Sequence, residues 1–462
     1  MSRPFFEEFL SRFGPNGTLS CACGNTHTLG TRTIIVSQGA LEQSADVLER
    51  SRGQDALVWV LSDRNTEQAA GERWKSGLKT ARVLSRILPG RPKVQPTMEL
   101  VQELDSEVSA ASPDLLVSVG SGVLSDLVKR VSLDTGVPNW AVATAASVDA
   151  YTSGTSSIRA GGYHGSVPTG VSETVVCDLD VIAAAPRLMF LAGLGDLLAK
   201  LLAFLDWNLA RIMTGEHYCG LMAGSGADSA RAALGAARCQ AMDPLGAART
   251  LTDAVLTSGL AMQSLGNSRS AASAEHTIAH FWETAEAVGN AEHDLHGILV
   301  GAASRLVLQG YRRFYDGPAS AIPLSAARLA AYQKEKPWME SLEPGLAPYI
   351  GKVREEMGRK SFDHSILAGR LAAFGRERDG ILMLAQPLLD ELQSAVQTLE
   401  GMDYQFSPKE LGVSTEMCML PARNVRLLRS RYSTFDLAYE LGTDGEIFAA
   451  IGEAVRGGAV RG

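Results

Sequence analysis

Leu115-Leu116-Val117-Ser118-Val119-Gly120-Ser121-Gly122 is the stretch on which the fold turns. Its first five residues form a short, mostly apolar run, preceded by Pro113-Asp114 and followed by glycines, and an amphipathic segment follows from Leu124 to Leu133. That order predicts a buried strand, a tight turn and a helix. Glycine lets a backbone approach a pyrophosphate, and a helix N-terminus offers N–H groups and a positive dipole end to receive it. A plain strand-to-helix turn uses the same glycines, so the motif alone leaves both readings open.

Working outward, Thr33 to Ser37, Leu57 to Ser62 and Thr174 to Cys177 also read as strands. Helical patterns fall between them at Ala40 to Arg50, Thr66 to Ile87 and Leu124 to Leu133. Alternation of this kind marks a parallel α/β sheet. After Pro186 the chain becomes Ala- and Leu-rich with helical periodicity, broken near Pro244, Pro318 to Pro323 and Pro337. The expected organisation is an α/β nucleotide-binding domain over 1–185 and a helical, metal-binding domain over 186–462. No repeat of fixed period is visible.

The charge balance, 43 Lys+Arg against 51 Asp+Glu, gives a net charge of -8 without a dense basic run, which argues against nucleic acid as a partner. Met1 to Gly14 carries Glu7 and Glu8 and lacks the basic region and apolar core of a secretion signal. The most apolar stretch, Val181 to Leu205, is interrupted by Pro186, Arg187, Asp196 and Lys200. It reads as a buried helix and not a membrane span, because charge at mid-membrane depth is costly. Six scattered cysteines suggest a reducing compartment, the cytoplasm. Cys21-Ala22-Cys23-Gly24 with His27 stands apart. It is either a metal site lacking a visible fourth ligand or a small turn packed by its cysteines.

Asp196, His276 and His296 lie far apart in the chain. A carboxylate and two imidazoles suit a divalent ion, and three ligands from separate helices leave a position open to substrate, unlike a closed four-ligand site. His276 and His280 share one helical face, as do Asp196 and Lys200. His296-Gly297 follows twenty residues after His276, the span of a helix, a turn and a new helix. Each histidine alone is as readily a core or surface residue. Asp63, just past the second strand, is placed either to hold an adenosine ribose, favouring NAD over NADP, or as a solvated turn carboxylate. Ala143 to Ser153, rich in small hydroxyls around Asp149, either wraps a ribose and nicotinamide or is an inert loop.

These residues together resemble a known family. The N-terminal Cys21-x-Cys23-Gly24-x-x-His27 is followed by Gly120-Ser121-Gly122 with Asp126 and Lys129, then Thr144-Ala145-Ala146-Ser147-x-Asp149. Further on come Gly195-Asp196 with Lys200, Asp206-Trp207, Glu216-x-Tyr218-Cys219, Gly266-Asn267-Ser268-Arg269, Glu275-His276 with His280 and Trp282, His296-Gly297, and Arg431-Tyr432-Ser433-Thr434-x-Asp436. The set is similar to the sn-glycerol-1-phosphate dehydrogenases of the AraM-like bacterial branch, within the iron-containing alcohol dehydrogenase and dehydroquinate synthase superfamily.

The resemblance implies that Asp196, His276 and His296 bind a divalent metal, zinc with nickel or iron as alternatives. It implies that Gly120, Ser121, Gly122 and Asp126 serve the NAD or NADP pyrophosphate end, and that Asp63 serves the ribose. Thr144, Ser147 and Ser153 would line the nicotinamide half. Asp149 would face a small-molecule substrate, His280 would relay a proton, and the enzyme would be a homodimer interconverting dihydroxyacetone phosphate and sn-glycerol 1-phosphate. Departures cluster at the expected substrate wall. His164 stands where the family has lysine, Ser270 to Ser273 replace Pro-Ala-Ser-Gly, Ile298 follows His296-Gly297, and Ala143 replaces proline. Arg269 remains either as a phosphate anchor or as a helix-capping arginine. A dehydrogenase for another small polyol, ketone or aldehyde, and a dehydroquinate-synthase-like cyclase, stay as alternatives.

Overall fold

The computed structural model describes residues 5–53, 55–91, 93–286, 294–317, 338–340, 342–360, 364–404 and 407–457. Contacts divide the chain into two units, residues 1–197 with 224–270 and residues 198–223 with 271–462.

Ten strands occur among the described residues of the first unit: β1 Thr18–Ser20, β2 Thr26–Thr28, β3 Thr33–Ser37, β4 Leu57–Asp63, β5 Arg82–Leu88, β6 Leu115–Gly120, β7 Asn139–Ala143, β8 Thr155–Ala160, β9 Tyr163–Pro168 and β10 Thr174–Asp178. Six form one sheet in the order β3-β10-β7-β6-β4-β5, with every neighbouring pair parallel. The other four make two antiparallel hairpins, β1–β2 and β8–β9. Side-chain alternation builds both faces of the large sheet. Val58 and Val60 of β4 enter one buried cluster with Val117, Val142 and Val176, while Trp59 and Leu61 enter the other with Leu116. A parallel strand covered on both faces reads as a continuous apolar run, which is why β4, β6 and β10 were legible.

Helix α1 spans Phe5–Leu10, and α2 (Ala40–Arg52) covers the first face through Leu41 and Leu48. The segment after β4 is helical only from Arg64 to Ser76, as α3 (Arg64–Thr66), a π-turn Glu67–Gly71 and α4 (Glu72–Ser76). The single helix expected from Thr66 to Ile87 is therefore corrected: its second half is the edge strand β5. Arg82 and Arg86 put charge into it, the latter paired to Glu103 and Glu107, and that mixture of charge and apolar residues imitates a helix surface. On the second face α5 (Met98–Ala111) and α6 (Gly122–Thr135) bury Val101, Leu104 and Val108, and Leu124, Leu127, Val128 and Val131. Full burial of each such side chain contributes about 1.5–3 kcal/mol. Strand β7 completes the sheet between β6 and β10, and no strand was expected over its residues. The unit also includes α7 (Leu179–Ala183), the start of α8 (Arg187–Thr214), most of α9 (Gly220–Cys239), and α10 (Pro244–Leu265).

Helix α8 is long and apolar enough to cross a membrane, yet 78% of its most apolar window is buried, and it carries the buried Asp196, Lys200 and Asp206. It reads as a core helix. It continues into the second unit, which is helical among its described residues: α11 (Ala274–Thr284), α12 (His296–Asp316) and five later segments, Ile350–Arg359, His364–Glu400, Thr415–Leu428, Thr434–Leu441 and Asp444–Gly457. The breaks expected at Pro318 to Pro323 and Pro337 fall outside the described residues. Helix α12 packs on Asp444–Gly457 so closely that a Cβ at Gly310 would lie 2.7 Å from Ile447 Cγ2.

Asp206 ties this unit together. Its buried carboxylate accepts the Ser273 hydroxyl at 2.5 Å, the Tyr311 hydroxyl at 2.8 Å, and the Thr434 N–H and hydroxyl at 3.0 and 2.9 Å. Burial nevertheless pushes its pKa up to about 6, with these hydrogen bonds opposing. Between the ordinary carboxylate range and about 6 the folded state holds a proton that the unfolded chain has released. Stability therefore falls as pH rises through that window, by roughly 1–3 kcal/mol. Asp206→Asn should remove this loss, so urea midpoints of variant and wild type should separate in the variant's favour between about pH 4 and pH 7. A pH-independent difference would show that Asp206 does not titrate there.

Candidate functional site

The second unit gathers three imidazoles. His276, His280 and Glu283 lie on one face of α11, and His296 opens α12. Ring centroids are 6.1 Å apart for His276–His280, 5.5 Å for His276–His296 and 5.2 Å for His280–His296. Each ring is held at Nδ1 by a carboxylate. Glu275 Oε1 is 2.9 Å from His276, Glu283 Oε2 is 2.9 Å from His280, and Glu283 Oε1 is 3.0 Å from His296. A carboxylate that accepts from Nδ1–H fixes the tautomer and leaves the Nε2 lone pair as the donor to an ion. A ligand nitrogen of His276 and one of His296 lie within 4.8 Å of each other, close enough to share a metal.

The first unit holds the small-hydroxyl loop as a braced element. Lys129 of α6, fully buried, reaches the Asp126 carboxylate at 3.1 Å, the Ala150 and Thr155 carbonyls at 2.7 and 2.9 Å, and the Ser153 hydroxyl at 3.1 Å. Burial lowers the ammonium pKa, and Asp126 opposes that shift. Asp126 also accepts the Ser157 N–H at 2.9 Å, fixing α6 to β8. Two helices approach the loop's backbone. A Cβ on Gly193 of α8 would sit 1.9 Å from the Ala146 carbonyl oxygen, and one on Gly259 of α10 would sit 2.5 Å from that of Asp149. The Asp149 N–H donates to Asp196 Oδ2 at 3.1 Å, and Ser258 donates its hydroxyl to Asp149 Oδ2 at 2.7 Å. The Asp196 carboxylate is thus oriented by the loop.

Of the other expected residues, Gly120 and Asp63 end strands of the parallel sheet, where open α/β sheets bind ligands. Gly120 ends β6 beside Ala143 of β7, and the Thr144 N–H donates to the Gly120 carbonyl at 3.2 Å. Ser121 caps α6 in extended conformation without a side-chain cap bond, and Gly122 would bring a Cβ to 2.6 Å from Val148. Ser147 lies beside the buried Tyr151, whose hydroxyl donates to the Ala145 carbonyl at 2.6 Å. Asp63 ends β4 and caps α3, its Oδ1 accepting the Asn65 and Thr66 N–H groups at 2.8 and 2.9 Å. His164, buried, sits in β9 opposite Arg159 of β8. Arg269 is buried just after α10.

Residues 35–186 match the family model of iron-containing alcohol dehydrogenase. A glycerol-1-phosphate dehydrogenase [NAD(P)+] of Geobacillus thermodenitrificans is 30% identical over 298 residues, 64% of this chain and 73% of that protein. The chain belongs to the glycerol-1-phosphate dehydrogenase family. The enzyme of that name from Hyperthermus butylicus is 33% identical over 54% of this chain and 70% of its own. The NADH-dependent butanol dehydrogenase A of Thermotoga maritima shares the fold at a TM-score of 0.59 and 14% identity, covering 93% of this chain and 96% of its own. The protein is thus an NAD(P)-linked oxidoreductase of the iron-containing alcohol dehydrogenase superfamily.

The second unit thus presents two imidazoles with Nδ1 already held, and the first a carboxylate held by a backbone N–H, donor types that suit a divalent metal. Sequence reasoning expected these three residues as ligands but assigned no role to the carboxylates that hold the rings. Glu275 stood in a quoted motif without a role, and Glu283 is a helix glutamate whose spacing of plus three from His280 could have singled it out.

Proposed function

We propose that the protein interconverts dihydroxyacetone phosphate and sn-glycerol 1-phosphate by hydride transfer with NAD or NADP. The observation that carries the reading is the trio of imidazoles, each held at Nδ1 by a carboxylate, in a chain whose relatives are named glycerol-1-phosphate dehydrogenase. We assign Asp196, His276 and His296 as ligands of one divalent ion, zinc with nickel or iron as alternatives. A bound ion would polarise the ketone oxygen, and a reduced nicotinamide would supply the hydride. Glu275 and Glu283 keep the ligand rings aimed. His280, its Nδ1 tied to Glu283, holds or passes a proton at Nε2. Asp149 orients Asp196 through its N–H and faces substrate with its carboxylate, which Ser258 holds in place.

Gly120, Ser121 and Gly122 receive the pyrophosphate at the α6 N-terminus. Asp126 acts at one remove through Lys129. Thr144, Ser147 and Ser153 line the nicotinamide half, and Arg269 anchors the substrate phosphate. A cytoplasmic setting, which the few and scattered cysteines suit, and a homodimer are part of the same reading. Asp63 sets cofactor choice. Glycine keeps most of a cap's worth, so Asp63→Gly should leave the fold intact while raising the NADP/NAD ratio of kcat/KM. An unchanged ratio would place Asp63 away from the adenosine.

Purified protein with dihydroxyacetone phosphate and each reduced nicotinamide, with and without added metal, tests the activity; no oxidation of either nicotinamide would overturn it. His164 sharpens the test. An imidazole stands there in place of the family's lysine. If phosphate binds at that position, His164→Lys lowers KM for dihydroxyacetone phosphate, because an ammonium is a stronger cation for the phosphate. If the pocket suits an uncharged ketone or aldehyde, wild type prefers dephosphorylated substrates and the lysine gives no gain.

A further inference from the structure

The turn of the β1–β2 hairpin is Cys21-Ala22-Cys23-Gly24. The Cys21 N–H donates to Asn25 O at 3.0 Å and the Gly24 N–H to Cys21 O at 3.0 Å, with Gly24 at a φ of 90° that other residues avoid. His27 lies in β2, 3% exposed, and ligand atoms of Cys21, Cys23 and His27 lie within 4.8 Å of one another. Cys23 Sγ is 3.3 Å from His27 Nε2, and the other ring nitrogen, Nδ1, is 3.0 Å from the Ser264 carbonyl oxygen. A carbonyl only accepts, so Nδ1 carries the proton and the Nε2 lone pair points toward the sulfur. A backbone carbonyl behind a histidine, with thiols in front of it, is how metal-binding imidazoles are oriented. None of the cysteines is in a disulfide.

We propose that Cys21, Cys23 and His27 bind one zinc ion at a site separate from the catalytic ion. Two thiolates and one imidazole supply three of the four places of a tetrahedral shell. Each thiol releases its proton to solvent as the ion binds.

The test uses the full chain with the catalytic ligands removed. His276→Ala/His296→Ala, purified with zinc and desalted, should retain one zinc per chain, and adding Cys21→Ser and Cys23→Ser should reduce that to none. With cobalt(II) in place of zinc, the double-histidine variant should show thiolate-to-cobalt charge-transfer absorption, weakened by Cys21→Ser or Cys23→Ser. A double-histidine variant without zinc, absence of the charge-transfer band, or a band unchanged by the cysteine substitutions would overturn the site. Should the cysteine variants fail to fold, mercurial titration of the double-histidine variant decides: zinc released in step with thiol modification supports the site, and zinc that stays bound overturns it. The catalytic ion is absent throughout, so failure of the proposed reaction leaves a different signature.

Discussion

His276→Ala or His296→Ala reduces kcat/KM with dihydroxyacetone phosphate by roughly a thousandfold or more and lowers bound metal, while nicotinamide binding measured by fluorescence changes little. The magnitude follows from losing a Lewis acid that contributes several kcal/mol to the transition state, with each 1.36 kcal/mol about tenfold in rate. Both rings are second-unit residues and the Gly120–Gly122 turn belongs to the first, so the nucleotide fold has no direct stake in either substitution. Alanine also strands a carboxylate: Glu275 Oε1 keeps only the Ser273 N–H at 2.7 Å once His276 is gone. A moderate loss of stability therefore accompanies the His276 change, and circular dichroism at the assay temperature separates it from lost catalysis. Full activity with stoichiometric metal in either variant would sink the ligand assignment.

The legible parts of this protein were those whose physics is local. Continuous apolar runs at β3, β4, β6 and β10, flanked by turn glycines, announced a two-sided parallel sheet, and the change after Pro186 coincides with the start of α8 at Arg187. The expected metal donors came from a resemblance, a carboxylate and histidines whose motifs kept the family's order. What failed to show was relational. Strand β5 hides because an edge strand with charged neighbours carries no apolar run, and β7 because Asn139–Ala143 is short and unremarkable outside the sheet. By packing, α9 and α10 belong mostly with the α/β unit although their composition matches the helical one. Partner residues were the least visible of all: Glu283 serving two imidazoles, Ser258 holding Asp149, and Gly193 making room for a carbonyl are pairings between positions distant in sequence or side.

Lys129→Met should lower stability by about 3–5 kcal/mol, read as a lower urea midpoint, because it leaves a buried carboxylate without its cation. Asp126, 5% exposed, would keep the Ser157 N–H but lose Lys129, and the Ala150 and Thr155 carbonyls would each lose their ammonium donor and keep only Ser153. Burial lowers the ammonium pKa while Asp126 opposes that shift, so dehydration offsets much of the pair's attraction. Adding Asp126→Asn to Lys129→Met should therefore recover a large part of the loss, because the stranded charge disappears. The double variant separates two roles for this residue. If Lys129 serves only the ion pair, stability and the KM for nicotinamide recover together. If it also shapes the Thr144–Ser153 loop through its carbonyl contacts, stability recovers while KM stays raised, since asparagine cannot replace a donor that reached Ala150, Ser153 and Thr155 at once. The contacts support the second outcome. A single variant that loses less than about 1 kcal/mol would mean that water enters the site and neutralises the argument for both.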